Sequence, residues 1–377
     1  MSAQHTHNDL HSEQGGLAGE HPGRCRNPVI KVRDIAWLEF EKPDLVAAER
    51  FATFFGFTVS LRTDSELHLR GTFAGSPAVI IREGSRSRFT GPAFRAESDA
   101  DVLRLANHLG ATVTPLPEAV GGITVDTRDP SGARVRVVSG THELPALSDQ
   151  ASHPLNTAAD LVRTNGTQRP PAEPARVQRL GHVVLQTNQY RAALDWYLEN
   201  LGMIVSDFQY YAGQRSLGPT MGFIRCDRGS EPADHHTLAM MLGPSNRYVH
   251  SAYQVTDLDA LAAGGEVLLD AGYTRSWGIG RHIQGSQIFD YWRDPDGFMV
   301  EHFTDGDMFD NTLEPGWAPM TASGLAQWGP PATKDFLGLK PGSDSLAEVR
   351  AVLAALLSND TDFTRTRLKG LLKVASS

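Results

Sequence analysis

The chain contains few cysteines, no excess of basic residues and no long apolar run. Two of its 377 residues are cysteines, Cys25 and Cys226, so we expect neither a disulfide framework nor a thiolate metal site, and a reducing cytoplasm is the expected compartment. A formal net charge of −9 lacks the basic footprint of nucleic-acid-binding proteins. No apolar run reaches the roughly 18–20 residues of a membrane-spanning helix, and the amino terminus lacks the features of a secretory signal. We therefore expect a globular protein with neither nucleic-acid nor membrane partners.

The body of the chain contains an internal duplication. Residues 128–136 (RDPSGARVR) and 293–301 (RDPDGFMVE) each place an Asp-Pro-x-Gly turn between two β-rich runs, which is typical of a β-hairpin. Upstream of this turn, each copy has a strand, an amphipathic helix that ends at glycine, further strands, and then a second strand–helix–strand series. The copies span roughly 31–140 and 177–305. This order predicts an α+β protein with two related domains.

Composition and the repeat divide the chain into five segments. The first is polar and rich in glycine, so we predict that it is disordered and that His5, His7 and His11 are solvated tail residues. The predicted segments are a disordered arm (1–28), an N-terminal module without metal (29–145), a linker (146–176), a catalytic metal-binding module (177–305) and a partly helical C-terminal extension (306–377).

Three potential metal ligands occur in the second copy and are absent from the first. Each of the three, His182, His250 and Glu301, lies on a predicted strand. Two imidazoles and one carboxylate form the ligand set of non-haem iron(II) sites that leave positions open for substrate and oxygen. A structural zinc site would need a fourth protein ligand. Alignment of the copies places these residues opposite the three ligands: Ala36, Gly91 and Arg136.

Five stretches of the second copy match a known family: LGHVVL (180–185), DHHTLAMML (234–242), VHSAYQV (249–255), GRH (280–282) and FDYWRDPDGFMVE (289–301). Through them, residues 177–305 resemble the C-terminal module of the type I extradiol dioxygenases, a family of the vicinal oxygen chelate superfamily that includes 2,3-dihydroxybiphenyl 1,2-dioxygenase and catechol 2,3-dioxygenase. The resemblance implies tandem βαβββ modules, two in each domain, with the C-terminal domain forming a funnel-like mixed sheet around a metal. It also implies Fe(II)-dependent meta cleavage of a catechol by O2 in aromatic hydrocarbon catabolism, and a homo-oligomer.

The resemblance implies roles for further residues. His236 matches the family's acid/base histidine, Tyr291 its active-site tyrosine, and His282 a second-sphere histidine near the substrate hydroxyl. Tyr291 and His282 would hydrogen-bond the substrate oxygens. If His235 and His236 lie on a strand, their side chains alternate and only one can face the cleft. Val184, two residues after the first ligand on the same strand face, is expected to line the pocket.

Several alternatives stay open at this point. The same fold also serves metal-free binding proteins and glyoxalase- or epimerase-like enzymes, which usually use four ligands. Hydroxyphenylpyruvate-type dioxygenases share the duplication, the ligand set and a C-terminal helical extension. Mn(II) can replace Fe(II) at such ligands. An aromatic or polycyclic catechol would suit the aromatic residues near the module strands, which are Tyr210, Tyr211, Trp277, Phe289 and Trp292.

Overall fold

The computed structural model describes residues 12–321, 323–338 and 345–376. His5, His7 and His11 therefore lie outside the described residues. Two large sheets, one from each half of the chain, are joined by a connection that has neither helix nor strand between Pro145 and Gln178. No helix in the described ranges combines the length and the apolar character that crossing a membrane requires.

The first half of the chain forms two helices and eight strands, after a two-residue strand β1 (Glu13–Gln14). In chain order the elements are β2 (Val32–Lys42), α1 (Leu45–Phe55), β3 (Thr58–Arg62), β4 (Glu66–Arg70), β5 (Val79–Glu83), β6 (Arg88–Ala96), α2 (Asp99–Leu109), β7 (Val113–Pro115), β8 (Ile123–Arg128) and β9 (Arg134–Ser139).

The second half repeats this series and continues past it. Its elements are β10 (Arg179–Thr187), α3 (Tyr190–Leu201), β11 (Ile204–Tyr211), β12 (Met221–Arg225), β13 (Ala233–Asp234), β14 (Leu238–Leu242), β15 (Arg247–Gln254), α4 (Leu258–Asp270), β16 (Thr274–His282), β17 (Ile288–Arg293), β18 (Met299–Thr304), β19 (Met308–Phe309), β20 (Gly316–Met320), β21 (Ala326–Trp328), α5 (Ser345–Leu357) and α6 (Arg365–Ser376).

Each sheet is built from two βαβββ units that meet at an antiparallel central pair, β2 with β6 and β10 with β15. The first sheet has the order β3-β4-β5-β2-β6-β9-β8-β7. The second contains the equivalent series β11-β12-β14-β10-β15-β18-β17-β16, extended by β20 and β1 at one edge and by β21 at the other. The α+β fold with two βαβββ units in each half is therefore confirmed.

Local sequence signals explain where the first helix begins and ends. Asp44 accepts a hydrogen bond from the Ala47 amide at 2.8 Å and so caps the amino terminus of α1. Gly56 ends the helix at φ 100°, a conformation that favours glycine. A Cβ at this position would also lie 1.8 Å from the Ala175 carbonyl oxygen, so only glycine lets the connection pass here.

Strand register corrects one of the repeat correspondences. His182 lies opposite Ala252, whereas the equivalent residue Ala93 lies opposite Trp37. The true counterpart of His182 is therefore Trp37, and the predicted counterpart Ala36 is wrong by one residue. The bulge between Ile35 and Trp37 has its equivalent between Leu180 and His182, so IAWLEF (35–40) and LGHVVL (180–185) align without a gap, and the predicted alignment was shifted by one residue at this strand. The register agrees with the other two correspondences, Gly91 and Arg136.

Described segments on both sides of the predicted modules pair with the second sheet. Residues 12–28 were predicted as part of a disordered arm, but β1 pairs with β20, and the Arg24 guanidinium donates to the carbonyl oxygens of Asn311 and Leu313. Backbone pairing with β20 and the hydrogen bonds of Arg24 hold this segment in place. Its polar composition did not indicate these contacts, which are made with residues far along the chain. Beyond residue 305, β20 and β21 belong to the second sheet.

Each half of the chain contributes a side chain that contacts the Asp-Pro-x-Gly turn of the other half. The Lys42 ammonium from β2 is buried against Asp294 and lies 3.0 Å from an Asp296 carboxylate oxygen in the second turn. In return, the Tyr197 hydroxyl from α3 donates to Asp129 in the first turn at 3.3 Å. The largest cluster of buried apolar side chains also contains residues of both halves. The halves therefore share one interior.

Candidate metal centre and active site

Strand register brings the predicted ligands to one face of the second sheet. His182 on β10 lies opposite Ala252 on β15, and Ala252 lies opposite Glu301 on β18. Directly opposed residues of neighbouring strands share a face, so His182 and Glu301 flank Ala252. His250 precedes Ala252 by two residues and shares this face as well. The small alanine side chain leaves room between the three polar groups.

The three side chains converge on one point. The Glu301 Oε2 atom lies 3.5 Å from His182 Nε2 and 3.3 Å from His250 Nε2. One ligand atom from each residue falls within 4.8 Å of the other two, and all three residues are buried. Among the residues that the structure describes, this is the one such group of His, Cys, Asp or Glu side chains.

The donor set fits a divalent cation. Glu301 is fully buried, and neither of its carboxylate oxygens has a hydrogen-bond partner. A buried carboxylate without donors is costly, and a coordinated cation removes that cost. Burial raises the pKa of Glu301, but the facing His182 and His250 outweigh burial and hold its pKa well below the usual range. The glutamate is therefore an anion ready to bind metal.

His236 lies beside the predicted ligands, whereas His235 faces away. The His236 ring centroid is 4.0 Å from that of His182. Both histidines lie in a bend between β13 and β14 rather than on a strand, so the bend and not strand alternation separates their directions. Burial, together with the neighbouring His182 and His235, lowers the pKa of His236 well below its ordinary value. His236 is thus neutral at pH 7 and able to accept a proton.

Tyr291 and His282 form a hydrogen-bonded pair on the opposite side of the centre. Tyr291 lies directly opposite Glu301, so it continues the row of ligands onto β17. Its hydroxyl is 2.8 Å from His282 Nε2, and His282 Nδ1 is 2.9 Å from the Leu325 carbonyl oxygen. A carbonyl only accepts, so Nδ1 carries a proton. Burial and the nearby Glu301 raise the pKa of Tyr291 well above its ordinary value, so the hydroxyl stays protonated.

Apolar side chains from the sheet and the C-terminal extension meet beside Tyr291. The Phe336 ring lies 4.9 Å from Tyr291 and 4.5 Å from Trp277. Trp277 and Phe289, two of the aromatic residues singled out in the sequence, belong to this apolar cluster. We call these side chains the apolar wall: Trp277, Phe289, Met299, Val249, Leu325 and Phe336.

The other aromatic residues named in the sequence lie elsewhere. Trp292 follows Tyr291 on β17 and so faces the opposite side, where the Arg275 guanidinium lies 4.7 Å from its ring. Tyr211 is buried, with its hydroxyl 3.4 Å from the Leu242 carbonyl oxygen, and Tyr210 packs against Arg215. The expectation that these three residues supply pocket surface is therefore wrong.

Val184 lies directly opposite His250 and is buried. It follows His182 by two residues, so it occupies the same sheet face as the ligands. His302, next to Glu301, points the other way. Its Nε2 is 2.7 Å from the Phe55 carbonyl oxygen, and its ring stacks on Phe55. His302 therefore links the two halves and takes no part in the centre.

The sequence did not single out Asp207. Its Oδ2 atom lies 2.7 Å from His235 Nε2, and His235 Nδ1 lies 3.0 Å from His236 Nδ1. Asp207 is on β11, far from the DHHTL motif in the chain, and polar residues on a strand are common. The two consecutive histidines were the one available signal, because a second buried histidine needs a polar partner.

Comparison with known proteins places these features in a family. The Glyoxalase/Bleomycin resistance protein/Dioxygenase superfamily profile matches residues 179–302. Metapyrocatechase 2 of Cupriavidus necator is 32% identical over 339 residues, which cover 87% of this chain and 98% of that protein. An iron-dependent extradiol dioxygenase of Rhodococcus jostii is 24% identical, covering 83% of this chain and 100% of the relative. A variant of homoprotocatechuate 2,3-dioxygenase from Brevibacterium fuscum shares the fold, with a TM-score of 0.67 at 19% identity over 84% of each chain.

Proposed function

The chain belongs to the extradiol dioxygenases, which open catechol rings beside the paired hydroxyls, and on this premise we propose that His182, His250 and Glu301 hold its non-haem ferrous ion. The observation that carries the proposal is the buried row in which two imidazole nitrogens face a carboxylate that has no other donor. When bound, the ion would be chelated by the two catechol oxygens and would activate O2, and this coordination would lower the pKa of the catechol hydroxyls.

His236 is the proton carrier in this proposal. It is neutral, buried and adjacent to His182, so it can take the proton of a catechol hydroxyl and later return it to an oxygen of the opening ring. In the family, a histidine of the matching motif has this acid/base role, and its position beside the ligands suits the same role here.

Tyr291 and His282 orient the substrate. Tyr291 stays protonated and can donate its hydrogen bond to a substrate oxygen once the catechol competes for it. His282 keeps its ring in place through the Leu325 carbonyl and faces the tyrosine hydroxyl with the other nitrogen. The pair thus holds the substrate oxygens on the side opposite His236, which fixes the ring before reaction.

We also propose that the substrate carries an uncharged, apolar substituent. The apolar wall lies next to Tyr291 and could cover such a group. The arginines on the neighbouring strands are already engaged: Arg281 lies 2.8 Å from Asp305, and Arg293 lies 3.0 Å from Asp335. A carboxylate on the catechol would have to compete with Asp305 or Asp335 for these arginines, whereas an apolar substituent needs no such partner.

The test is anaerobic loading of the purified protein with Fe(II), and separately with Mn(II), because such ligands discriminate weakly between these ions. Oxygen uptake and the coloured ring-opened product are then followed with catechol, 3-methylcatechol, 2,3-dihydroxybiphenyl and 3,4-dihydroxyphenylacetate. We expect turnover with iron, and a higher kcat/KM for the two apolar-substituted catechols than for the acid.

A matched control separates the metal site from the rest of the protein. His108 is an exposed histidine on α2, so His108→Gln should leave iron content and oxygen uptake unchanged. His182→Gln should abolish both. Silence of the iron-loaded protein with every catechol contradicts the proposal, and a preference for the acid contradicts its apolar substrate.

A further inference from the structure

Two buried polar side chains stand directly behind His236. Asp207 accepts from His235 at 2.7 Å, and His235 Nδ1 lies 3.0 Å from His236 Nδ1. The chain of contacts Asp207–His235–His236 leads from the outer side of the bend to the metal centre. We propose that Asp207 and His235 are positioning residues that fix which nitrogen of His236 carries the proton. The inference rests on the proton-carrier role proposed for His236.

The hydrogen-bond directions follow from the chemistry of the partners. A carboxylate only accepts, so His235 Nε2 carries the proton that Asp207 receives. In the proposed arrangement the Nδ1 atom of His235 has the lone pair, so His236 Nδ1 donates the proton in the 3.0 Å contact. His236 Nε2 is left with a lone pair. Within the described residues this nitrogen has no hydrogen-bond partner, so it is free to accept a proton from the substrate hydroxyl.

Backbone and aromatic contacts surround this pair of histidines. The His235 amide donates to the Asp307 carbonyl at 2.9 Å, and the Ser206 hydroxyl donates to the His235 carbonyl at 2.6 Å. The Phe223 ring lies 5.3 Å from the His235 ring and 5.1 Å from the His236 ring. The backbone contacts hold the bend in place, and the Phe223 ring packs against both imidazoles.

The carboxylate also has a space made for it. Asp207 Oδ1 lies over Gly316 of β20, where a Cβ would approach that oxygen to 2.0 Å. Only glycine admits the carboxylate at this point. Oδ1 has no hydrogen-bond partner, although the residue is buried. A purely structural core would be more stable with apolar side chains here, since an incompletely satisfied buried carboxylate is destabilising.

The proton account balances without further reactants. A proton leaves the substrate oxygen and binds His236 Nε2, and it later returns from Nε2 to a product oxygen. His235 and Asp207 neither gain nor lose a proton. While His236 carries the extra charge, the Asp207 carboxylate stabilises it through His235, as the buried carboxylate does in a Ser-His-Asp triad.

The experiment is a double-mutant cycle in the iron-loaded full-length protein. His235→Leu, His236→Gln and the double variant are compared with the parent by kcat, KM for 3-methylcatechol, iron content and melting temperature. We expect His235→Leu to lower kcat by about 10- to 100-fold, the range for lost support of a site residue, with iron content unchanged. In the His236→Gln background the same change should have no further effect, because its action passes through His236.

Two other variants sharpen the test. His235→Asn places an amide oxygen near the former Nδ1 position, where it can accept from His236, so it should retain more activity than His235→Leu. Phe309→Leu alters packing on the His235 ring, which lies 5.6 Å from the phenyl group, without touching the hydrogen bonds, so kcat should be unchanged. Asp207→Asn should lower kcat in the parent and not in the His236→Gln background.

Each adverse result has a distinct meaning. Independent, multiplying effects of His235→Leu and His236→Gln overturn the positioning role, as does an equal loss of kcat in Phe309→Leu. Loss of iron or a collapse of the melting temperature in both His235→Leu and Asp207→Asn shows a structural role and also overturns it. If His236→Gln itself leaves kcat unchanged, His236 is not the proton carrier, and the positioning role that depends on it is overturned as well.

Discussion

The two sheets put very different chemistry on equivalent backbone positions. In the second sheet the row across four neighbouring strands reads His182, Ala252, Glu301 and Tyr291. In the first sheet the equivalent row has an aromatic and a basic residue where the second has its candidate metal ligands, and it ends in an acid: Trp37, Ala93, Arg136 and Asp126. Both rows have alanine at the second position. At the third position the second sheet has the acidic Glu301 and the first sheet has the basic Arg136.

The first sheet nevertheless contains a buried carboxylate of its own. Glu39 occupies the position equivalent to Val184 and accepts from Trp37 Nε1 at 3.0 Å. Arg82 and Arg134 each approach it at 3.0 Å, and Arg136 binds its other oxygen. Burial raises the pKa of Glu39, but Arg136 and the other donors outweigh this and lower it.

The two sheets thus place a buried carboxylate in two different environments on the same backbone fold. Guanidinium groups satisfy Glu39 within the protein, so no cation is needed there. Glu301 has no donor among the described residues, so it needs a cation from outside. Whether a module binds metal is therefore decided by which side chains surround its carboxylate, and not by the backbone.

The largest effect should come from removing the acid of the second sheet. Glu301→Gln deletes the anionic ligand, so iron content should fall to that of metal-stripped protein and oxygen uptake to the background rate. Iron is measured by chelator absorbance and uptake with an oxygen electrode. The Glu39→Gln variant, which lacks the buried acid of the first sheet, should retain its iron. Iron loss in both variants would contradict the distinction between the sheets.

The next effect concerns the proton carrier. The position equivalent to His236 in the first sheet is Pro77, which has no proton to exchange. His236→Gln should reduce kcat by about 10²–10⁴-fold, the usual cost of a lost acid/base group, while iron binding persists. His68→Gln, which replaces a buried histidine of the first sheet, should leave kcat unchanged. Equal rates for the two variants would refute the assignment.

A stability effect should appear in the first sheet. Glu39→Gln leaves Arg82, Arg134 and Arg136 without their shared carboxylate. Breaking a buried ion pair costs about 3–5 kcal/mol, and partial exposure of the arginines reduces the expected loss to roughly 2–3 kcal/mol. Urea unfolding of the metal-loaded protein measures it. Glu41→Gln, which removes a solvent-exposed ion pair with Arg88, should cost far less. A similar loss in both would show that the Glu39 cluster contributes nothing special.

The smallest effect should come from the added edge of the second sheet. β21 pairs with β16 there, whereas β7, the equivalent edge of the first sheet, has no further strand among the described residues. Phe336→Ala removes a ring from the apolar wall, so KM for 2,3-dihydroxybiphenyl should rise by about 3- to 10-fold, the equivalent of roughly 1 kcal/mol of apolar contact. Leu217→Ala, an exposed leucine, is the control. An unchanged KM would show that the C-terminal extension does not contact the substrate.

Much of this organisation could be predicted from the sequence because it depends on patterns that repeat. Turn motifs and helix periodicity predicted the repeated order of strands and helices, and the family resemblance implied the two βαβββ units in each half. Comparison of the copies singled out the candidate ligands His182, His250 and Glu301. The correspondence of His182 was wrong by one residue because the two strands share few residues, and their alignment becomes evident only from the strand pairing in each sheet.

The remaining features depend on contacts between distant segments. The ordering of residues 12–28 rests on backbone pairing with β20, and the cover over Tyr291 rests on Phe336, some distance along the chain. The Glu39 cluster could not be predicted because its arginines have the pattern of ordinary solvated charges on alternate strand positions. Asp207 could not be predicted for the same reason. Residue type and spacing do not reveal which polar side chains are enclosed after folding.

The exchange of contacts between the two turns has a consequence for the role of the first half. Lys42 of the first half is enclosed by the second turn, and Tyr197 of the second half reaches the first. A substitution on the ligand-equivalent strands of the first half leaves these cross-contacts in place. Deletion of the first half would remove them and would expose the interior that the second half shares with it. The first half can therefore be indispensable to the protein without carrying candidate metal ligands of its own.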